Sequence, residues 1–290
     1  MGVSTSLQTT RYYDFFRDKE IIFTKANLRS LHIDPRQIYI KCNDGQYPCI
    51  INSTSLQMAK IIIGTTGAAY TFLTKNKATV VSLRYCFLDQ NNAPIQFFVN
   101  CTVMDVQPYQ NSKELAIVTL EFTQRPPDDL ILHIGEFIEA QENFINRREE
   151  RIEINENSMR KLGIQKEESV IYIEKVPRRC ILKDLSFSGA KVMLVGVPKF
   201  LVNKAQALAI NFTDTNEQCL LNGKIVRSEF LEGRKDIAIC HLAFDDNEVP
   251  MTYKMHINNY ITTLRKKALN SISNMQSQEQ TDAGNANQAR

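Results

Sequence analysis

The chain has 290 residues, 35 Lys and Arg against 32 Asp and Glu, a formal charge of +3, and 43% apolar residues. A balance this close to neutral excludes a polyanion-coating protein, which carries a large basic excess. The apolar share is enough for real cores, and ~100–200 residues per domain suggests about two of them. The start lacks a charged segment followed by an apolar one. The densest apolar stretch, Ile61–Leu73, is broken by Gly64, Thr65, Thr66 and Gly67, short of the ~20 residues that span a bilayer. These features predict a cytoplasmic protein without membrane insertion. The seven cysteines include no CxxC pair, so they read as core thiols and not as a metal site or disulfide framework.

In chain order, residues 1–10 are small and polar and are expected to be disordered. Phe15, Phe16, Ile21, Ile22 and Phe23 then offer a docking face for one or two short helices. Ile38–Lys41 reads as a strand, Asn43-Asp44-Gly45 as a hairpin turn and Pro48–Asn52 as its return. Strand-like runs follow at Ala59–Ile63, Thr79–Phe87, Ile95–Val106 and Leu115–Phe122, a spacing that suggests a small barrel or sandwich. Pro126-Pro127-Asp128-Asp129 punctuates the chain, the Asp pair being suited to a helix start. Behind it Leu130, Ile134, Phe137, Ile138, Phe144 and Ile145 share one helical face, which predicts a connector packed on one domain.

Strands resume at Arg151–Ile154, Val170–Ile173, Arg179–Leu182, Ala190–Val195, Ala207–Phe212, Leu220–Val226 and Ile237–Phe244. Tyr253, Ile257, Tyr260, Ile261 and Leu264 form a helical stripe, and Arg265-Lys266-Lys267 complement the negative end of its dipole. Residues 269–290, rich in Gln, Asn and Ser, read as a disordered tail. The organisation expected is therefore a barrel at 11–125, a helical connector at 126–146, a second barrel at 147–268 and two disordered ends.

Cys49–Lys60 laid over Cys180–Lys191 at one constant offset brings Cys, Ile, Ser, Ala and Lys into coincidence. Ile38-Tyr39-Ile40 likewise resembles Ile171-Tyr172-Ile173, with a different spacing to the Cys. Two versions of one barrel are expected. They differ where Ser53 and Met58 stand in place of Asp184 and Gly189.

Two clusters carry chemistry. Arg147-Arg148-Glu149-Glu150-Arg151 puts guanidiniums on a shared face, each able to grip a phosphate or the O6/N7 edge of guanine in two hydrogen bonds. In Asp184-Leu185-Ser186-Phe187-Ser188-Gly189, Asp184 can accept from guanine N–H groups and Ser186 can donate to phosphate. Gly189 permits positive φ and close approach of a ligand. Taken singly, the first is most often a solvated charge run and the second a polar turn.

Together and in this order, RxxxR (Arg147–Arg151) and [D/N]xSxxG (Asp184–Gly189) resemble the PilZ domain. That resemblance implies a six-stranded barrel with a C-terminal helix that binds cyclic di-GMP. The first half resembles the PilZ-like companion domain of spirochaete receptors, in the segments TKANLRSLHIDPRQIYIKC and YPCIINSTSLQMAKIII, and lacks the ligand motifs. The fold expected is mainly β: two small antiparallel barrels, PilZ-like then PilZ, joined by a helical connector and closed by a C-terminal helix. By the same resemblance Arg147, Arg151 and the helper Arg148 face phosphates and guanine edges, and Asp184, Ser186 and Gly189 line the other wall.

The function implied is that of a monomeric cyclic di-GMP receptor without catalytic activity or cofactor, which changes its domain arrangement and regulates motility or related behaviour through an effector protein. No P-loop, HExxH or GxSxG favours an enzyme. His241, beside Cys240 in an apolar strand, reads as structural. The competing readings are a nucleotide-independent adaptor and a nucleic-acid binder. Only the basic end of the last helix favours the latter.

Overall fold

The computed structural model describes residues 2–76, 78–89, 91–146, 150–165, 169–213 and 218–265. The chain divides into two units, Met1–Gln141 and Glu142–Arg290. The division falls inside the predicted connector.

In the first unit, helix α1 (Gly2–Phe16) precedes strand β1 (Ile21–Ile22) and helix α2 (Lys25–Ser30). Strands β2 (Tyr39–Cys42), β3 (Gly45–Pro48), β4 (Ile50–Thr54) and β5 (Met58–Gly64) lead to helix α3 (Ala68–Lys75). Strands β6 (Val81–Leu88), β7 (Pro94–Pro108) and β8 (Leu115–Phe122) follow, then helix α4 (Asp128–Asn146). The sheet runs β1-β4-β5-β8-β7-β6-β2-β3, antiparallel at every pairing.

The second unit holds β9 (Ile152–Glu153), helix α5 (Glu156–Leu162), β10 (Ser169–Ile173), β11 (Val176–Leu185) and β12 (Gly189–Val195). After them come β13 (Ala205–Asn211), β14 (Gln218–Phe230), β15 (Ile237–Phe244) and a helix α6 over 251–265. Its order is β10-β13-β14-β15-β12-β11-β9, and a β10–β11 pairing closes six strands into a barrel. Alternation along β15 is strict, with Ala238, Cys240, Leu242 and Phe244 inward, as a half-buried strand requires. Tyr253, Ile257 and Ile261 of α6 are buried against that barrel, as the helical stripe predicts.

The two units repeat one another more closely than their sequences do. At the offset that carries Cys49 onto Cys180, β1 falls on β9, and the side-chain cap of α2, Thr24, falls on that of α5, Asn155. His32, φ 53°, falls on Gly163, φ 70°. The isolated bridge Ile33–Phe87 corresponds to Ile164–Phe212, and bulges interrupt β4 between Ile51 and Ser53 and β11 between Leu182 and Asp184. The left-handed pair Asn43-Asp44 matches Glu174-Lys175, so the hairpins share one register. The expected mismatch in spacing disappears once Tyr39 is set on Val170, each paired with its own partner, Pro48 and Arg179.

Four expectations change. Residues 2–10 are helical, because α1 is held by tertiary contacts: Thr9 and Tyr12 are buried, and Tyr12 packs so tightly on α4 that a Cβ at Gly135 would overlap its ring. The return strand of the first hairpin is β3, Gly45–Pro48, with Ile50–Thr54 a separate strand. Pro48 has no N–H and the ladder breaks there. Helices α3 and α5 stand where none was predicted. Ile145, placed on the apolar face of α4, is 70% exposed, while Leu130, Ile134, Phe137, Ile138 and Phe144 are buried. Residues 266–268 of the predicted last helix and the tail 269–290 lie outside the described residues.

Candidate functional site

Arg147 and Arg148 also lie outside the described residues. The other four motif residues gather at one end of the second barrel. Arg151 precedes β9, whose pairing with β11 sets Glu153 opposite Asp184. The bulge in β11 returns Asp184 to the outer face, where it stands opposite Lys191 of β12. The Arg151 guanidinium donates to Asp184 Oδ1 at 2.5 Å, and the Lys191 ammonium lies 3.8 Å from Oδ2. Asp184 keeps only 13% of its side chain exposed against 41% for Arg151. The carboxylate is thus fixed, and the guanidinium over it keeps free N–H edges toward solvent.

Ser186 and Gly189 build the turn that carries this wall. Ser186 N–H donates to the Gly189 carbonyl at 2.8 Å, its hydroxyl donates to the same carbonyl at 3.2 Å, and Gly189 N–H returns a bond to that hydroxyl at 3.1 Å. The Tyr253 hydroxyl of α6 donates to the Ser186 carbonyl at 2.6 Å. Desolvation by burial holds the Tyr253 phenol well above its usual pKa, so it stays a donor. Phe187, fully buried between them, meets Phe144 edge to face. Gly189 does not take the positive φ expected of it; Gly163 and Gly233 are the glycines that do among the described residues. Its requirement is space: a Cβ there would stand 2.2 Å from the Leu242 carbonyl oxygen of β15.

Two further side chains, His241 and Arg227, lie in line with Asp184 and Lys191. Cross-strand pairing sets Lys191 opposite His241 and His241 opposite Arg227 of β14. Arg227 donates to Glu229 at 2.6 Å, and Glu229 Oε1 lies 3.8 Å from His241 Nε2, beyond hydrogen-bond reach. Burial pushes the His241 pKa down, and Lys191 pushes it the same way; the Arg227 guanidinium lowers that of Glu229. Pairing across strands is set by register, which the linear sequence does not display, so no motif pointed to these residues.

The first unit has the same scaffold with other side chains. Ser55 forms the same turn with Met58, N–H to carbonyl at 2.8 Å. Glu20 stands where Arg151 does, accepting from Ser53 and paired with Lys60 at 2.9 Å. The Ser53 hydroxyl and Lys60 lower the Glu20 pKa. A carboxylate therefore occupies the place of the guanidinium.

Residues 7–141 match the PilZN3 domain family. A cyclic di-GMP binding protein of Treponema denticola is 39% identical over 270 residues, spanning 92% of this chain and 86% of the relative. The chain belongs to this family of two-domain PilZ proteins, with a PilZN3 unit first. Among solved structures, the PlzA protein of Borreliella burgdorferi in complex with c-di-GMP is 22% identical, covering 88% of this chain and 99% of its own at a TM-score of 0.40. YcgR of Escherichia coli in complex with c-di-GMP is 16% identical, covering 86% and 92%, at a TM-score of 0.27. No helix among the described residues is long and apolar enough to cross a membrane.

Proposed function

We propose that the protein is a cytoplasmic receptor for cyclic di-GMP and that its second unit holds the ligand. The observation that carries this reading is the Arg151–Asp184–Lys191 cluster on a turn rigidified by Ser186, Gly189 and Tyr253. It joins a phosphate-gripping cation to a carboxylate that accepts from guanine N–H groups, as the dinucleotide requires. Arg147 is the second arm of the RxxxR pair and Arg148 its helper. Asp184 and Gly189 form the opposite wall, and Ser186 shapes that wall through its turn. Asp184 holds the Arg151 guanidinium, so a phosphate seated there exchanges one anion for another.

The chemistry is recognition and not turnover. The chain between α4 and β9 carries both arginines of the pair, and α4 is the helix in which the units divide. Seating a dianion there acts directly on the segment joining them, and the arrangement it favours is the one it binds better. A protein effector reads that arrangement, and regulation of motility or related behaviour is the output that the family resemblance implies. Titration calorimetry with cyclic di-GMP on the wild type, Arg147→Ala, Arg151→Ala and Asp184→Ala tests the site. Each substitution is expected to weaken binding at least tenfold. Tight binding that survives all three overturns the assignment.

A further inference from the structure

The two units share a scaffold and differ in one place systematically. Ala190 pairs with Leu242, and Leu242 with Ile225, as Ala59 pairs with Leu120, and Leu120 with Val103. Each second partner is followed by a bulge, after which Arg227 stands opposite His241 and Asp105 opposite Thr119. Residue for residue, the outer row of the second unit is Arg151, Asp184, Lys191, His241 and Arg227. The same row in the first is Glu20, Ser53, Lys60, Thr119 and Asp105. Even the neighbour along the strand is matched: Arg227 binds Glu229, and Asp105 accepts from Gln107, both at 2.6 Å. The unit without ligand motifs thus has a hydroxyl, Thr119, in place of the His241 imidazole and a carboxylate in place of the Arg227 guanidinium, as it has at Arg151, though neither position belongs to a motif.

We propose that Arg227 and His241 are the far end of the cyclic di-GMP site, contacting the ligand's phosphodiester, and that ligand binding draws a proton onto His241. This rests on the receptor reading above and extends it. The row spans three strand spacings from β11 to β14, roughly 14 Å, with Arg151 and Arg227 at its two ends. The groups facing His241 are Lys191 from β12, Arg227 and Glu229 from β14, and Arg151 from before β9. Three of the four are cations, and with the imidazole neutral the row keeps an uncompensated positive charge: Arg151 and Lys191 share the one carboxylate of Asp184, while Glu229 holds Arg227. A bound phosphodiester displaces Glu229 from Arg227 and places negative charge beside the imidazole. That favours the imidazolium and raises its affinity for a proton. Affinity must then rise as pH falls toward the ligand-free pKa of His241, which lies below 6.5.

The test is calorimetric titration of the full chain with cyclic di-GMP at pH 5.5–8, in buffers of different ionisation enthalpy. The wild type is expected to take up a fraction of a proton near pH 6 and to bind several-fold tighter there than at pH 8. His241→Gln is expected to abolish both effects, and Arg227→Ala, at an exposed position that the fold does not need, to weaken binding about tenfold. Binding by the wild type with no proton uptake, and with Arg227→Ala at wild-type affinity, overturns this inference and leaves the receptor reading standing. A wild type that binds no cyclic di-GMP overturns both.

Discussion

Gly189→Ala puts the close approach of β12 and β15 to a quantitative test. The added Cβ would lie 2.2 Å from the Leu242 carbonyl oxygen and 3.3 Å from its carbon. A carbon and a carbonyl oxygen settle at about 3.3–3.6 Å, so one backbone must retreat by ~1 Å. Both partners are main chain in a closed barrel, and no flexible side chain can give way. Overpacking of this kind costs about 1–3 kcal/mol. With a urea slope of about 1–3 kcal/mol per molar, a loss near 2 kcal/mol lowers the unfolding midpoint of the second unit by roughly 1 M. Urea titration followed by circular dichroism measures it, and cyclic di-GMP affinity should fall in parallel because Gly189 anchors the Ser186 turn. The equivalent change in the first unit, Met58→Ala, removes a partly exposed side chain and should leave the midpoint within about 0.5 kcal/mol. A Gly189→Ala protein with an unchanged midpoint would refute the reasoning.

Tyr253→Phe deletes the donor to the Ser186 carbonyl in a fully buried site; chemical denaturation should show a loss of about 1–3 kcal/mol, and ligand affinity should fall as the turn loosens. His133 stacks on Phe87 with ring centroids 4.2 Å apart, and its burial lowers its pKa. The unfolded chain therefore takes the proton first as pH drops below 6.5, and stability declines from there down to the folded pKa. Urea midpoints across pH 5–8 should show this slope in the wild type and a shallower one in His133→Gln. Burial pushes the thiols of Cys49, Cys101, Cys180 and Cys219 up to about 12. Mass spectrometry should find these four unmodified by iodoacetamide at pH 8 in the native protein and alkylated in urea.

The strands were legible because each is half-buried and alternates with period two, and the Asn43-Asp44 turn because both residues tolerate positive φ. Its counterpart, Glu174-Lys175, adopts the same left-handed pair with residues that do not advertise it, so the second hairpin carries no turn signal. Helix α3 was hidden because Ala68–Lys75 continues the apolar run of β5, where period alone does not separate strand from helix. α1 reads as polar and owes its order to Tyr12 meeting α4, a contact between residues far apart in sequence. At the site, Arg151, Asp184, Ser186 and Gly189 were visible as motifs because local chain geometry holds them. Lys191, His241 and Arg227 were not, because bulges near residues 183 and 226 decide which side chains meet across the strands.

The central claim is that the second unit is equipped for the dinucleotide and that the first, built on the same scaffold, is not. Exchanging the charge at equivalent positions tests it most directly. Calorimetric titration of the full chain with cyclic di-GMP should show binding in the wild type and in Glu20→Gln, with the same affinity and stoichiometry, and none in Arg151→Glu, which gives the second unit the residue of the first. Binding retained by Arg151→Glu, or lost in Glu20→Gln while that protein remains folded, would contradict it.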